Sequence, residues 1–239
     1  MSFYPAPELA TIRGDVLDFY LAQGYYRMQQ DLFTCQFVSF EGLPRTAHWL
    51  RLTVAEIAET AAHRRLRRRN AGFAVAIRPF RLCAEYEELY ARYRAAITFE
   101  AADTVEETML GGHSHNVFRS YAIELHDGGQ LVAVGLFDVG LRTMAGILNF
   151  YDPAYHRHSL GKYLMLLKTD FARQHQLAYY YPGYVVQGNP KFDYKLFVCA
   201  AATEVYDSLR QQWLPFAWET VAAHSAELLG LLPTAELKE

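Results

Sequence analysis

Hydrophobic positions change from strand spacing to helix spacing and back again between residues 146 and 197. Residues 146–151 form an apolar, aromatic run of strand length, and residues 160–175 have apolar side chains every three or four positions. Residues 178–186 form a second strand-like run that is rich in tyrosine and valine. A strand, a helix and a strand in this order predict a βαβ unit whose two strands are parallel.

The same spacing rules predict the other elements of the chain. Helices are expected over residues 7–23, from Thr53 to the arginines before Asn70, over 85–97 and over 203–232. Strands are expected over residues 31–40, 47–52 and 72–80, and the first two of these should pair. Alternating runs at 117–126 and 130–140 flank Asp127-Gly128-Gly129 and predict a β-hairpin. Three antiparallel strands therefore lead into the βαβ unit.

Composition narrows the possible classes of protein. The chain has 239 residues, a net charge of −3 and three cysteines without a CxxC pair. We therefore expect that any contact with a polyanion uses a local patch, and that the protein has no metal site. No basic N-terminal region with an apolar core is present, and no apolar run approaches the length of a membrane span. We expect a cytoplasmic protein with no membrane partner.

A concentrated positive charge lies at residues 64–69. Five of these six residues are arginines: Arg64, Arg65, Arg67, Arg68 and Arg69. Arginines in the last turn of a helix suit the helix dipole, so a solvated helix end is one interpretation. The dipole needs only one or two of the charges, and five like charges repel each other. The sequence therefore favours a site for a polyanion.

The turn before the central helix is a second candidate phosphate site. It contains Arg157, Ser159 and Gly161, and a helix N-terminus presents unpaired N–H groups and a partial positive charge. The alternative is a plain helix start in which Ser159 is the N-cap. This stretch alone does not separate the two interpretations.

Several short motifs occur in an order that is similar to that of a known family. They are the basic segment 63–70, Asn149-Phe150-Tyr151-Asp152-Pro153, Ser159-Leu160-Gly161-Lys162-Tyr163, Tyr181-Pro182-Gly183-Tyr184, and Gly188-Asn189-Pro190-Lys191 with Tyr194-Lys195. Together they resemble the aminoacyl-tRNA–protein transferases, which include the arginyl-transferases and their bacterial leucyl counterparts. The chain departs from that family at Cys35, which stands alone where several cysteines are usual, and at Asn189, where a cysteine is usual.

The resemblance implies a fold and a reaction. The implied fold is α+β and GNAT-like, with a mixed sheet flanked by helices. We expect a smaller N-terminal α/β portion at residues 1–82 and a transferase domain at residues 83–239. The implied reaction moves arginine or leucine from aminoacyl-tRNA to the N-terminal amine of an acceptor protein that starts with Asp or Glu. Aminoacyl-tRNA is the co-substrate, and no further cofactor is expected.

Roles for individual residues follow from the motifs. We expect catalytic groups at Tyr151, Asp152, Lys191 and Tyr194, where the two strands of the βαβ unit open. The arginines of residues 64–69, with Arg157, Ser159 and Gly161, are expected to contact tRNA phosphates. Tyr181 or Tyr184 could stack on the terminal adenosine, and Lys195 could pair with an acidic acceptor. The alternatives are a half-buried strand for the tyrosines and a plain turn at Asp152-Pro153.

Two other functions stay open at this stage. An acyl-CoA-dependent GNAT N-acetyltransferase would use the Arg157–Gly161 turn for the pyrophosphate of acetyl-CoA. That turn has only the first of the two small residues of the usual pattern, which disfavours tight binding of CoA. A non-catalytic protein that binds RNA or protein N-termini is the other alternative. Transfer from charged tRNA, transfer from acetyl-CoA, or RNA binding without transfer would separate the three.

Overall fold

The protein is built around one large mixed β-sheet, seen in a computed structural model. The structure describes residues 4–5, 11–40 and 42–231. The strands are β1 (Tyr4–Pro5), β2 (Tyr26–Met28), β3 (Asp31–Thr34), β4 (Phe37–Phe40), β5 (Leu43–Thr53), β6 (Ala74–Pro79), β7 (Ser120–Asp127), β8 (Gln130–Val139), β9 (Thr143–Tyr151), β10 (Tyr179–Val186), β11 (Thr203–Asp207) and β12 (Gln212–Pro215). The helices are α1 (Asp15–Ala22), α2 (Ala61–Arg69), α3 (Ala84–Ala96), α4 (Val105–Met109), α5 (Leu160–Gln174) and α6 (Trp218–Gly230).

The order of strands in the sheet does not follow the order of the chain. The large sheet has nine strands in the order β12-β11-β5-β10-β9-β8-β7-β6, with β4 paired to β5. Strands β1, β3 and β2 form a separate small sheet. Within the described residues, β9 and β10 form the parallel pair of the large sheet, and its other pairs are antiparallel. This parallel pair lies in the middle of the sheet.

Helices cover both faces of the sheet. Successive residues of β7 show the division, since Ile123 packs into the core that contains α5 residues and Ala122 packs into the core that contains α3 residues. Helices α2 and α5 lie over the first face, and α3 and α4 lie over the second. None of the helices described by the structure is long and apolar enough to cross a membrane.

The α+β class, the mixed sheet and the central βαβ unit are confirmed. The predicted hairpin at Asp127-Gly128-Gly129 is present, and both glycines have positive φ values of 54° and 91°. The predicted strand over residues 31–40 is divided into β3 and β4, and β4 pairs with β5 as expected. The large sheet joins strands from both sides of residue 82, and the proposed division into two domains stays a prediction.

Three predicted helices were wrong in extent or place. Helix α1 begins only at Asp15, because Ile12 and Gly14 bridge to Phe118 and Gly140 instead, while residues 7–10 lie outside the described part. Thr53 caps no α-helix: a short 3-10 turn follows it, and α2 is capped by Thr60 and His63. Residues 203–217 are not helical, since β11 extends the sheet beside β5 there.

Candidate active site

The two parallel strands of the central unit separate after three paired positions. Pairing of β10 with β9 runs from Tyr179 opposite Thr143 to Tyr181 opposite Ala145. The next residue of β10 is Pro182, which has no N–H group to continue the ladder, and Gly183 follows with a φ of +102°. The pairing of β10 with β5 is also irregular at this point. A gap therefore opens in the middle of the sheet.

A cavity of about 280 Å³ occupies this gap and reaches both faces of the sheet. Its walls are largely aromatic and apolar, and none of its lining residues is an aspartate or a glutamate. It is lined by Tyr26, Arg27, Phe33, Trp49, Gly146, Ile147, Leu148, Asn149, Met165, Lys168, Tyr180, Pro182, Gly183, Tyr184, Phe192, Tyr194 and Lys195. The site is thus a cationic, aromatic cavity.

Lys195 is the first of two buried lysines in the cavity. It lies in a 3-10 segment, Pro190–Phe197, and is 8% exposed. Its Nζ atom lies 4.6 Å from the centre of the Phe192 ring and 4.9 Å from that of Tyr194. Among the described residues it forms no ion pair, and burial lowers its pKa to about 7. The nearby carboxylate of Asp193 opposes this shift without forming an ion pair with Lys195, so the amine is available to an anionic ligand.

Lys168 is the second buried lysine and comes from α5. Its Nζ atom donates hydrogen bonds to the backbone oxygen of Leu136 and to Oδ1 of Asn149, both at 2.8 Å. Burial lowers the pKa of Lys168 to about 7, although the nearby carboxylate of Asp138 opposes the shift. Asp138 itself is paired with Arg27 at 2.8 Å. Lys168 therefore has neutral hydrogen-bond acceptors in place of a carboxylate partner.

The opposite wall of the cavity comes from the N-terminal part of the chain. The hydroxyl group of Tyr26 reaches the backbone oxygens of Gly146 and Tyr181, one on each separating strand. The Trp49 ring stacks on Tyr26 at 5.1 Å, and its buried Nε1 atom has no hydrogen-bond partner among the described residues. Residues before position 50 thus complete a cavity whose floor is formed by the βαβ unit.

The structure brings only some of the predicted site residues to this cavity. Tyr184, Tyr194 and Lys195 line it, whereas Tyr151, Asp152 and Lys191 do not. Tyr151 packs on Tyr93 at the end of β9. The carboxylate of Asp152 already accepts hydrogen bonds from Arg92 Nε at 3.1 Å and from the backbone N–H of Ala154 at 3.0 Å. The cavity lies deeper along β9 than the sequence predicted.

Three of the predicted residues have surroundings that bear on their roles. The Tyr181 side chain is 2% exposed and packs edge-on against Trp213, so it offers no face for a stacked adenosine. Tyr184 lines the cavity and stacks on Phe192 at 5.3 Å. Lys191 is exposed, and its Nζ atom lies 5.5 Å from the Phe40 ring. Of these three, Tyr184 is the one that a bound molecule in the cavity would contact.

A second, shallower depression joins the two candidate phosphate sites. It has a volume of about 160 Å³ and is lined by Ala62, Arg65, Leu66, Arg69, Ser159, Lys162 and Phe197. Arg65, Arg69 and Lys162 are exposed cations, and no carboxylate lines this surface. We call it the cationic depression. The sequence placed the arginines and the α5 turn far apart, and the fold places them side by side.

The end of α2 is held against the start of α5 by specific contacts. Asn70 is buried, and its side chain donates to the backbone oxygen of His158 and accepts from the ring of the same residue, each at 3.1 Å. Arg69 Nη1 donates to the backbone oxygen of Arg157 at 3.0 Å. Ser159 occupies the N-cap position of α5, as one interpretation expected, but it has a left-handed φ of 53° and its side chain makes no capping hydrogen bond.

The arginines of α2 are not equivalent. Arg67 forms ion pairs with Glu59 at 2.8 Å and Asp170 at 2.5 Å, which anchor α2 to α5. The prediction that Arg67 contacts phosphate is therefore not supported by its position. Arg64 donates to the backbone oxygen of Glu59, while Arg68 is exposed. Gly161 is not required sterically, since a Cβ there would meet only Tyr151 at 3.6 Å.

Sequence reasoning missed several residues of the cavity, and one of them carried a signal. Lys168 lies on the apolar face of α5, four residues after Leu164 and close to Phe171, where a charge is unusual. Asn149 was noted as part of a motif but received no role. Tyr26 and Trp49 reach the cavity through tertiary contacts that no local pattern indicates.

Comparison with known proteins shows a similarity to one class of enzyme. Residues 85–198 match the family model described as arginine-tRNA-protein transferase, C terminus. The matched region contains β9, α5, β10 and the 3-10 segment with Lys195, and thus most of the cavity. It does not contain α2 or the N-terminal wall. This part of the chain, slightly less than half of it, is thus similar to the C-terminal part of the arginine-tRNA-protein transferases.

The curated relatives are named aspartate/glutamate leucyltransferases. The protein from Stenotrophomonas maltophilia (strain K279a) is 29% identical over 157 residues, which are 61% of this chain and 61% of that protein. The Leptospira interrogans serovar copenhageni protein is 23% identical over 219 residues, covering 90% of this chain and 83% of that one. The match to the first relative thus spans less than two thirds of its length.

A solved structure described as L-PGS from Bacillus licheniformis is a distant structural neighbour. It has a TM-score of 0.42 and 12% sequence identity, over 72% of this chain and 50% of that chain. This likeness is too distant to assign a function.

Proposed function

We propose that this protein transfers an amino acid, leucine in preference to arginine, from aminoacyl-tRNA to the N-terminal amine of a protein that begins with Asp or Glu. The single observation that carries the proposal is the cavity between β9 and β10, which is aromatic, contains two buried lysines and has no acidic lining residue. The names of the relatives, aspartate/glutamate leucyltransferases, support the same substrates.

The preference for leucine follows from the charge of the cavity. An arginyl side chain would bring a guanidinium group beside Lys168 and Lys195 with no carboxylate to pair with it. A buried charge without a partner is costly, so the cavity disfavours arginine. A leucyl side chain carries no charge and would gain from contact with the aromatic and apolar walls.

The preference for acidic acceptors follows from Lys195. Its amine forms no ion pair among the described residues, although Asp193 lies near enough to favour its charged form, and the carboxylate of an N-terminal Asp or Glu could pair with it directly. Binding such a carboxylate would favour the charged form of Lys195 and raise its lowered pKa. The corresponding amides, Asn and Gln, would leave a buried ammonium group unpaired.

The cationic depression supports a role for tRNA. Arg65, Arg69 and Lys162 provide three positive charges for phosphates beside the N-terminus of α5. The 3-10 segment Pro190–Phe197 contributes Phe197 to this depression and Lys195 to the cavity. A tRNA strand bound in the depression would therefore have its aminoacylated 3′ end next to the cavity.

The transfer reaction requires mainly that the two substrates are oriented and that developing charge is stabilised. The ester of aminoacyl-tRNA is already activated, so no covalent nucleophile is required from the protein. A free α-amine has a pKa of about 7.7–8.0, so a sizeable fraction is uncharged near neutral pH. The cavity would hold this amine near the ester carbonyl and exclude water that would otherwise hydrolyse the ester.

One assay tests the proposal and its alternatives. The protein is mixed with labelled leucyl-tRNA or arginyl-tRNA and with peptides that begin with Asp, Glu, Asn or Gln, and in parallel with acetyl-CoA. We expect transfer from leucyl-tRNA to the Asp and Glu peptides, with the Asn and Gln peptides as matched controls. Transfer only from acetyl-CoA, or RNA binding without any transfer, would contradict the proposal.

A further inference from the structure

The floor of the cavity contains an amide group whose orientation is fixed by a buried amine. Asn149 lies near the end of β9 and lines the cavity. Its Oδ1 atom accepts a hydrogen bond from Lys168 Nζ at 2.8 Å. Lys168 is itself held by the backbone oxygen of Leu136, also at 2.8 Å. The Asn149 side chain is therefore held on its oxygen side by a residue that is only 1% exposed.

This orientation leaves the other end of the amide without a partner. Because the amine of Lys168 donates to Oδ1, the opposite atom of the Asn149 side chain is Nδ2. Among the described residues, Nδ2 has no hydrogen-bond acceptor, and it does not belong to the buried unpaired atoms. It is a free donor in a residue that lines the cavity.

Only one of the groups that react in the proposed transfer is suited to accept a hydrogen bond from Asn149 Nδ2. The attacking amine must keep its lone pair free for the carbonyl carbon, and an acidic acceptor side chain has Lys195 as its partner. The carbonyl oxygen of the ester remains, and it becomes negatively charged as the tetrahedral intermediate forms. Donors fixed in advance at such an oxygen stabilise the transition state more than the ground state.

We propose that Nδ2 of Asn149 donates a hydrogen bond to this oxygen and that Lys168 acts through Asn149 as a positioning residue. The inference rests on the proposed function. In the step, the amine nitrogen bonds to the ester carbon and the carbonyl π pair moves to the oxygen, which Asn149 stabilises. Collapse of the intermediate breaks the bond to the ribose oxygen of the tRNA. A proton from the amine passes to that oxygen, and an amide and a free tRNA hydroxyl result.

Two neighbouring glycines are consistent with a close arrangement around this pair. A Cβ at Gly135 would lie 3.0 Å from Asn149 Oδ1 and 3.2 Å from Lys168 Cε. A Cβ at Gly146 would lie 2.8 Å from the Tyr180 hydroxyl and 3.5 Å from Lys168 Nζ. Side chains at either position would press on the amine and the amide that it orients.

Kinetics of three variants test the two roles. Asn149→Ala should lower kcat about 10²–10³-fold, the usual effect of losing one oxyanion donor, with KM for leucyl-tRNA little changed. Lys168→Met should also lower kcat without changing KM. The double variant should be no slower than Asn149→Ala alone, because Lys168 acts through Asn149. Independent losses that add in the double variant would overturn the positioning role.

A binding experiment tests the inference without catalysis. The probe is the adenosine ester of the phosphonate analogue of leucine, a tetrahedral anion, and calorimetry measures its affinity. Asn149→Asp keeps the shape of the side chain and can pair with Lys168, but it loses the donor. We expect it to weaken binding at least 30-fold, while Gln130→Glu, the same amide-to-acid change on an exposed residue, should have no effect.

The proposed function and the role of Asn149 can be refuted separately. If the wild-type protein transfers no amino acid from leucyl-tRNA, the proposed function fails, and the phosphonate measurement still decides the inference about Asn149. Equal affinity of the wild type and Asn149→Asp, or no binding to the wild type, would overturn it. Thermal unfolding of each variant, expected within a few degrees of the wild type, separates these effects from loss of the fold.

Discussion

Two groups of buried polar side chains differ in whether their hydrogen bonds are complete. One lines the cavity between β9 and β10, where, among the described residues, Lys195 forms no ion pair and Asn149 Nδ2 has no hydrogen-bond acceptor. The other lies between β5, β11 and α6, where His48 contacts His224 at 3.2 Å and Ser225 at 2.9 Å. His224 lies 3.5 Å from the carboxylate of Asp207. We call this second group the histidine cluster.

The difference indicates which group is functional. In the histidine cluster, Thr46, His48, His224 and Ser225 are each hydrogen-bonded to another member, and none of them lines the cavity or the cationic depression. A satisfied network of this kind holds a helix to a sheet and has no free atom to offer a ligand. In the cavity, burial of the Lys195 amine lowers its pKa and is costly for folding, while Asn149 Nδ2 is free to donate; such groups are expected where a ligand supplies the missing partners.

The largest expected effect separates the two regions by activity. Lys195→Met should lower kcat/KM for peptides that begin with Asp or Glu by about 10²-fold, since a charge-assisted hydrogen bond and its ion pair are lost. Transfer to the Asn and Gln peptides should change much less, which makes them an internal control. Because an unpaired buried amine is removed, the melting temperature should rise or stay the same. Equal losses for acidic and amide peptides would contradict the role given to Lys195.

The corresponding change in the histidine cluster should affect stability alone. His48→Leu removes one hydrogen-bond partner each from Thr46, His224 and Ser225 and should lower the free energy of unfolding by about 2–4 kcal/mol. Urea unfolding measures this loss, and His115→Ala, at an exposed loop histidine, is the matched control. Activity per folded molecule should match that of the wild type. A loss of kcat in the folded variant would show that the cluster is coupled to the reaction.

The two regions should also respond in different pH ranges. Burial lowers the pKa of His48 to about 3, while an unfolded histidine titrates near 6.5. The stability contributed by neutral His48 is therefore present above pH 6.5 and is lost as the pH falls below it, by about 2 kcal/mol at pH 5.

Burial lowers the pKa of Lys168 and of Lys195 to about 7 from a usual value near 10.5. Their effect on the free energy of unfolding therefore appears between pH 10.5 and pH 7. Stability should decrease as the pH falls through that range. Unfolding measured from pH 4 to pH 10 tests both windows. His48→Leu should flatten only the acid side, and Lys195→Met should flatten only the alkaline side. A variant that changes both sides equally would contradict the assignment.

The local patterns predicted the frame of the cavity well. The spacing of apolar residues in 146–186 identified β9, α5 and β10. Each element packs one face against its neighbours, and side chains return to the same face with a different period in a helix and in a strand. The motif around Gly188 and Lys195 was expected to lie where the two strands open, and Tyr194 and Lys195 line the cavity there. These features are local in sequence, so the residues themselves specify them.

The remaining features depend on contacts between distant segments. Residues 203–217 have apolar side chains that suit a helix, yet β11 pairs with the edge of β5, which the pattern cannot reveal. Tyr26 and Trp49 reach the cavity because β5 pairs with β10 and the small sheet packs beside it. Asp152 was expected to be a catalytic group, and the pattern could not reveal that it is paired with Arg92 of α3, 60 positions away.

The smallest expected effect extends the comparison to the surface of α2. Arg65 and Arg69 line the cationic depression, whereas Arg67 is paired with Asp170 and Glu59. Arg65→Ala with Arg69→Ala should weaken tRNA binding and reduce the slope of log affinity against log salt by roughly 2, since two phosphate contacts are lost. Arg67→Ala should leave that slope unchanged and destabilise the protein by about 1 kcal/mol, as expected for partly exposed ion pairs. Filter binding at several salt concentrations, with urea unfolding of the same variants, measures both quantities. If Arg67→Ala reduces the slope of log affinity against log salt as much as Arg65→Ala does, then Arg67 contacts RNA despite its ion pairs. In that case an ion pair within the protein does not prevent an arginine from binding a phosphate.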